Sequence, residues 1–301
     1  MILHRSRKRT NRSVTYVLTP YLFLLPAIAI YGTFLLYPLM RLFILSFLDW
    51  DGISKHPKWI WLENYKSVFQ SQDFWLALGH NLLWVLSGSI PIILGFALAV
   101  FLYQGKPRGR NVYRLLVFLP YTLATVVIGL MWRWIYQSHA GQLNTLLRLV
   151  GLELLTHAWL GDPKTALISL MMAGAWGGYG FCMVLFLSGL SNISTVQYDA
   201  CRIDGANAWQ QFIHVTLPGL ANTLNVVIVI IFIYTMRSFD FVYVTTGGGP
   251  LNSTQVLPTI IYRETFKYFH VGYGSALSVV TLFIIAGVSL IYFYIRERKL
   301  K

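Results

Sequence analysis

Leu76-Ala-Leu-Gly-His-Asn-Leu-Leu-Trp-Val-Leu-Ser-Gly-Ser-Ile-Pro-Ile-Ile-Leu-Gly-Phe-Ala-Leu-Ala-Val-Phe-Leu102 runs without a Lys, Arg, Asp or Glu. About 20 apolar residues in helical form, each rising about 1.5 Å, cross the hydrocarbon layer of a bilayer. In lipid the backbone must satisfy its own hydrogen bonds, so this stretch reads as a membrane helix and not as a strand. Five further stretches are nearly or wholly free of charge: residues 20–47 with Arg41, 115–132, 166–190, 220–239 with Arg237, and 275–294. Pro26, Pro38 and Pro91 interrupt some of them, which membrane helices tolerate better than soluble ones. The expected fold is all-α: six transmembrane helices in one domain, residues 17–295, with short basic tails at 1–16 and 296–301.

Composition agrees. Charged residues make up 12% of the chain and apolar residues 56%, whereas soluble domains carry about 25% charge. The net charge of +13 would suit a nucleic-acid binder, but its placement argues for topology instead. With the N-terminus inside, the inner segments hold Arg5, Arg7, Lys8, Arg9 and Arg12, then Lys106, Arg108, Arg110 and Arg114, then Arg202, and finally Arg296, Arg298, Lys299 and Lys301. Only Asp199, Asp204 and Glu297 oppose them. Basic loops stay on the cytoplasmic side, so both termini are expected there, in a cell (inner or plasma) membrane. The apolar run behind the N-terminal arginines is too long for a cleavable signal. Cys182 and Cys201 offer neither a disulfide framework nor a metal site, and the seven histidines show no HExxH spacing.

One inner loop, residues 191–219, is longer than a connection needs. Ser194 with Gln197 fits a capping box, and Ile203, Ala206, Trp209 and Phe212 or Ile213 recur at helical spacing. Gly205 within that stripe marks a turn between two short helices or a close approach by another chain. Pro218 closes the segment. An amphipathic helix lying on the membrane is the rival reading. Such helices have lysine-rich polar faces, and here Arg202 is the single basic residue, which favours contact with protein.

Asp199-Ala-Cys-Arg-Ile-Asp-Gly-Ala206, followed after a spacer by Ile213 and Leu217-Pro218, resembles the EAA loop of permeases from binding-protein-dependent ATP-binding-cassette (ABC) importers. The pattern there is Glu-Ala-Ala, three residues, Gly, about nine residues and Ile-x-Leu-Pro; this chain has Asp199, Cys201 and Val215 in place of Glu, Ala and Ile. The resemblance implies a coupling helix that docks into a cleft of a cytoplasmic ATPase dimer, through Asp199, Ala200, Ile203, Asp204, Gly205, Ala206, Trp209 and Phe212. A second stretch, Phe239-Asp-Phe-Val-Tyr-Val-Thr-Thr-Gly-Gly-Gly-Pro250 with Tyr262, Phe266 and Gly272-Tyr-Gly-Ser-Ala276, is similar to the carbohydrate-uptake, maltose permease-like branch, as are Asn144, Leu147, Gly151 and Trp176. The likeness covers roughly residues 15–295. Gly247-Gly-Gly249 lacks the Lys-Ser/Thr of a phosphate loop, and no GxxxxGK[ST] occurs in the chain.

That branch further implies no catalytic centre in this chain, and ATP and Mg²⁺ bound by the partner ATPase. A second permease subunit would complete the pathway, and an extracytoplasmic solute-binding protein would deliver a sugar or related small polar solute. By counting along the shared motifs, the resemblance places substrate-path residues at Gly178, Phe181, Ile231, Thr235 and Ser238. Ile231, Thr235 and Ser238 share a helix face by their spacing, and an aromatic ring beside hydroxyls suits a sugar. Gly178 as a helix-packing glycine and Thr235 bonded to its own backbone are the structural alternatives. Arg237 and Asp240 are placed to pair at i, i+3. A secondary transporter without an ATPase would instead show inverted repeats and intramembrane ion ligands. A permease for a phosphorylated solute such as glycerol phosphate would need cations in the path, for which Arg237 is the candidate.

Overall fold

The computed structural model describes residues 14–105 and 107–300; the tail bearing Arg5, Arg7, Lys8, Arg9 and Arg12, together with Lys106 and Lys301, lies outside them. Helices α1 (Val14–Tyr31) and α2 (Tyr37–Leu45) form one long rod through a π-turn at Gly32–Leu36. Pro38 supplies no N–H to that rod, and the widened turn lies immediately before it. Phe23, Ile28 and Phe34 on the rod are exposed. A helix apolar on its outer face is stable only where lipid or protein, and not water, surrounds it.

A short antiparallel hairpin follows, β1 (Leu48–Asp49) with β2 (Lys58–Trp59), and then α3 (Glu63–Gln70). Helices α4 (Gln72–Ser87) and α5 (Ser89–Gln104) run on through Gly88 as a single 33-residue helix. Pro91 stands in the first turn of α5 and does not break the rod.

The third span departs from the expected single helix. It consists of α6 (Arg110–Thr122) and α7 (Thr125–Ile135), bent by 95° at Leu123 and Ala124, which are extended. Pro120 has no N–H for the ladder, and the Thr122 hydroxyl takes the Leu119 carbonyl at 2.7 Å, so the helix end loses two of its regular bonds. Past α8 (Gln142–Leu149) comes the 26-residue apolar span α9 (Ala166–Ser191). Then come α10 (Thr195–Ile203), α11 (Ala208–Gln211), a π-turn at Phe212–Thr216, α12 (Leu217–Gly219) and α13 (Ala221–Met236). The stretch Ala208–Gly219 meets α13 at 62°. Finally α14 (Phe239–Thr245) and α15 (Leu257–Tyr262) lead through a π-turn at Arg263–Lys267 to α16 (Val271–Leu300).

Four helices are long and apolar enough to cross a membrane alone, and the number reaches six with each bent pair as one span. The chain is therefore a multi-pass, all-α membrane protein. Its centre is α9. Gly95 of α5 faces Cys182 and Met183 so closely that an added Cβ would stand 2.5 Å from the Cys182 Cβ, and a Cβ on Gly180 would strike the Val117 carbonyl of α6. Small residues at these crossings let the backbones meet, the usual device where no hydrophobic force separates helix from lipid. Buried Met183, Phe186, Leu190, Leu220 and Val227 fill one end of the bundle, and Trp84, Ile128, Leu170 and Phe241 the other.

Candidate functional site

The segment after α9 forms two short helices and not one continuous stripe. Ser194 is the N-cap of α10, but its hydroxyl makes no capping bond. The reciprocal box belongs to α11: the Asn207 side chain accepts from the Gln210 N–H at 2.9 Å, and the Gln210 side chain accepts from the Asn207 N–H at 2.8 Å. Gly205 separates the helices with φ +78°, a left-handed conformation that side chains resist, and no neighbouring atom would touch an added Cβ. The left-handed φ shows the turn, and the open space around Gly205 leaves room for the close approach of another chain.

This arrangement sorts the residues of the loop. Tyr198 and Cys201 of α10 point inward onto the core, and the Tyr198 hydroxyl meets Thr216 Oγ1 at 3.0 Å. Val196, Asp199, Ala200 and Ile203, at i, i+3, i+4 and i+7, form the opposite, exposed stripe. Ile203 is 87% exposed and Trp209 67%. Asp204 caps α10 and is exposed, while Ala206 is half-buried and its carbonyl accepts from Gln211 Nε2 at 2.9 Å. Trp209 stacks on Phe212 with centroids 5.5 Å apart, and Phe212 in turn touches Phe96 of α5. The outer stripe is thus tied through one aromatic chain to the second span. The Asp199–Arg202 pair, 3.3 Å and open to solvent, adds little stability. Val196 and Tyr198 escaped the sequence reading, although their alternation across α10 was the available signal.

The expected path residues fall in two groups. Ile231 and Thr235 are buried against Gly88, and the Thr235 hydroxyl donates to the Ile231 and Phe232 carbonyls, both at 2.9 Å. Gly178 lies within ordinary contact of Pro91. Phe181 stacks on Tyr121 of α6, centroids 4.6 Å apart and planes 17° apart. Ser238 does not continue the face of Ile231 and Thr235, because α13 ends at Met236. At Ser238 the chain makes a tight turn in which the Phe239 N–H donates to the Arg237 carbonyl at 2.7 Å.

That turn and the α6–α7 bend border one cavity of about 360 Å³. Trp84, Thr125, Tyr234, Arg237, Ser238 and Asp240 are among its walls. Ser238 is only 8% exposed, and its hydroxyl has no partner. Buried polar groups without partners are costly, so this one marks a place suited to a polar guest. Arg237 and Asp240 line the same cavity, but no ion pair joins them among the described residues: the helix break removes the i, i+3 geometry their spacing implied.

The bent third span and the turn at Ser238 enclose a largely apolar cavity that holds Arg237, Ser238 and Asp240, an arrangement that fits a transporter-type membrane protein. The comparisons identify the family. Residues 92–301 match the family described as Binding-protein-dependent transport system inner membrane component, and the chain belongs to it. It is a permease of a binding-protein-dependent ABC import system. A probable ABC transporter permease of Pyrococcus horikoshii is 33% identical over 95% of this chain and 97% of its own length. The trehalose/maltose transport system permease of Thermococcus litoralis is 31% identical over 90% of this chain and 91% of its own. Among solved structures, a chain of a bacterial ABC transporter importing the acidic polysaccharide alginate superposes with a TM-score of 0.81 at 23% identity, covering 95% of this chain and 97% of that one. At that identity the likeness concerns the fold.

Proposed function

We propose that the chain is the permease subunit of an importer that moves a sugar or related small polar solute into the cell by ATP-driven alternating access. The observation that carries this reading is the exposed apolar stripe of α10 and α11. Ile203 and Trp209 stand out from a loop whose inner face is well packed, and large apolar and aromatic groups held together in this way suit a surface that a partner covers. The partner is a cytoplasmic ATPase dimer, which binds ATP and Mg²⁺ and receives Asp199, Ala200, Ile203, Asp204, Gly205, Ala206, Trp209 and Phe212. Both termini then lie in the cytoplasm, with the chain in the inner or plasma membrane. A second permease of similar fold closes the pathway, and an extracytoplasmic binding protein delivers the solute.

Within the membrane, Ser238 contributes its unpartnered hydroxyl to the path, Phe181 with Tyr121 an aromatic platform, and Gly178, Ile231 and Thr235 the surrounding wall. A sugar is favoured by the resemblance to the trehalose/maltose permease and by the cavity chemistry: ring faces stack on aromatic side chains, and hydroxyls pair with Ser238, Arg237 and Asp240. Asp240 in the same cavity offsets Arg237, which disfavours a phosphorylated solute. Affinity purification of the chain through a C-terminal tag from its native membrane, with identification of what co-elutes, tests the assembly. Recovery of an ATPase and a second permease is expected; a chain that elutes alone and stable contradicts it.

A further inference from the structure

At the end of the bundle that carries α10, α6 begins with Arg110 and Arg114 one turn apart. Both line one cavity of about 370 Å³, together with Asn111 of the same helix and Ser188, Ser191 and Asn192 from the end of α9. Neither guanidinium forms an ion pair among the described residues, and no carboxylate lines that cavity. Arg110 also borders the adjoining space of about 620 Å³ in front of α10, where Asp199 is engaged by Arg202. The helix start adds to the positive potential: Gly109, its N-cap, is left-handed and offers no side chain to the first-turn N–H groups.

Alongside this cationic pocket the surface turns apolar. Val112, Leu115, Leu116 and Leu119 form an exposed stripe on the outer face of α6. A soluble anion has no use for such a stripe, whereas a phospholipid carries both a phosphate and acyl chains. We propose that this pocket holds the phosphate of an anionic phospholipid, with Arg110 and Arg114 as its cations, Asn111, Ser188, Ser191 and Asn192 as neutral partners, and the acyl chains along the α6 stripe. Basic pockets between membrane helices are known to select anionic headgroups. Because Arg110 faces α10 as well, the lipid would sit beside the loop assigned to ATPase contact, without depending on that assignment.

The test is native mass spectrometry of the full-length chain released from nanodiscs of phosphatidylcholine containing phosphatidylglycerol. Selective retention of phosphatidylglycerol is expected, with a loss of about thirtyfold in the Arg110→Gln/Arg114→Gln variant. The Arg110→Lys/Arg114→Lys variant should keep most of the selectivity, and an unchanged elution volume shows that each variant is folded. Equal retention by the glutamine variant, or equal retention of phosphatidylcholine by the native chain, overturns the proposal. Displacement of the lipid by inorganic phosphate at millimolar concentration also overturns it, since the pocket would then serve a soluble phosphate.

Discussion

Residues 194–218 and residues 246–270 both join apolar spans, yet the first holds Val196, Ile203 and Trp209 out in solvent while the second buries Thr254, Gln255, Thr259 and Glu264. The second connection is stitched to the bundle. The Asn81 side chain of α4 accepts the Leu257 N–H at 2.8 Å, and His80 meets the Gln255 carbonyl at 2.8 Å. Arg263 binds Asp73 and Glu264, and Glu264 also meets His270. Its glycine run is a turn and not a phosphate cradle: the Gly247 N–H goes to the Val242 carbonyl, the Gly249 N–H to the Thr246 carbonyl and the Gly248 N–H to Thr246 Oγ1. In the first connection the hydrogen bonds are local, and Val196, Ile203 and Trp209 face away from the core. The second connection also exposes Leu251, Phe266, Tyr268 and Phe269, so what separates the two among the described residues is hydrogen bonding to a distant helix, which the second has and the first lacks. The same 301-residue chain therefore carries one connection bonded to a distant helix and one held by local bonds alone.

Substitutions can break that contrast, beginning with the stitched side. Gly248 has φ +96°, and a Cβ there would collide with Gln255 Oε1. Gly248→Val should cost about 3 kcal/mol, from the left-handed backbone and the overpacked contact together, and should lower the thermal unfolding midpoint in detergent most of all. Asn81→Leu leaves the buried Leu257 N–H without its acceptor and should cost about 2 kcal/mol by the same measurement. An unchanged midpoint in either variant would show that the connection is not stitched to the bundle as described.

The docking side should respond differently. Gly205→Asn, which tolerates the left-handed region, should retain both stability and transport. Gly205→Arg should lose about 1 kcal/mol to backbone strain and lose solute uptake while the chain remains in the membrane. Normal uptake by Gly205→Arg would remove the close approach from the account. Smallest in stability is Ile203→Asp, an exposed change expected to stay within about 0.5 kcal/mol of the native chain.

The long apolar spans were legible because charge is nearly excluded from lipid; four are single helices, and the count reaches six with each bent pair as one span. The turn at Gly205 was legible for a similar local reason: glycine in an otherwise helical pattern signals a backbone that side chains resist. The 95° bend and the stop of α13 at Met236 were not. Leu123 and Ala124 sit in an apolar run, and hydropathy averages over a bend without registering it; the Thr122 hydroxyl beside that bend and the Thr235 hydroxyl beside that stop, both bonded to backbone carbonyls, look the same in sequence as any threonine in a span. Once α13 stops at Met236, the shared face expected of Ile231, Thr235 and Ser238 divides, and so does the expected Arg237–Asp240 pair. The cap was ambiguous in sequence because Ser194 with Gln197 and Asn207 with Gln210 fit the same pattern. Asn144 shows the opposite case. Singled out by resemblance alone, it is a buried hub whose side chain donates to the Ser138 and His157 carbonyls and accepts from Trp159 Nε1 at 2.8 Å.

The central claim is that the exposed stripe of α10 and α11 transmits ATP hydrolysis to the pathway. Its most direct test is the Ile203→Asp/Trp209→Asp variant, purified by a tag on this chain, with recovery of the ATPase and its solute-stimulated hydrolysis measured beside thermal stability. The account predicts native-like melting, a severalfold loss of bound ATPase and no stimulation by solute. Full ATPase recovery with normal stimulation in that variant would contradict it.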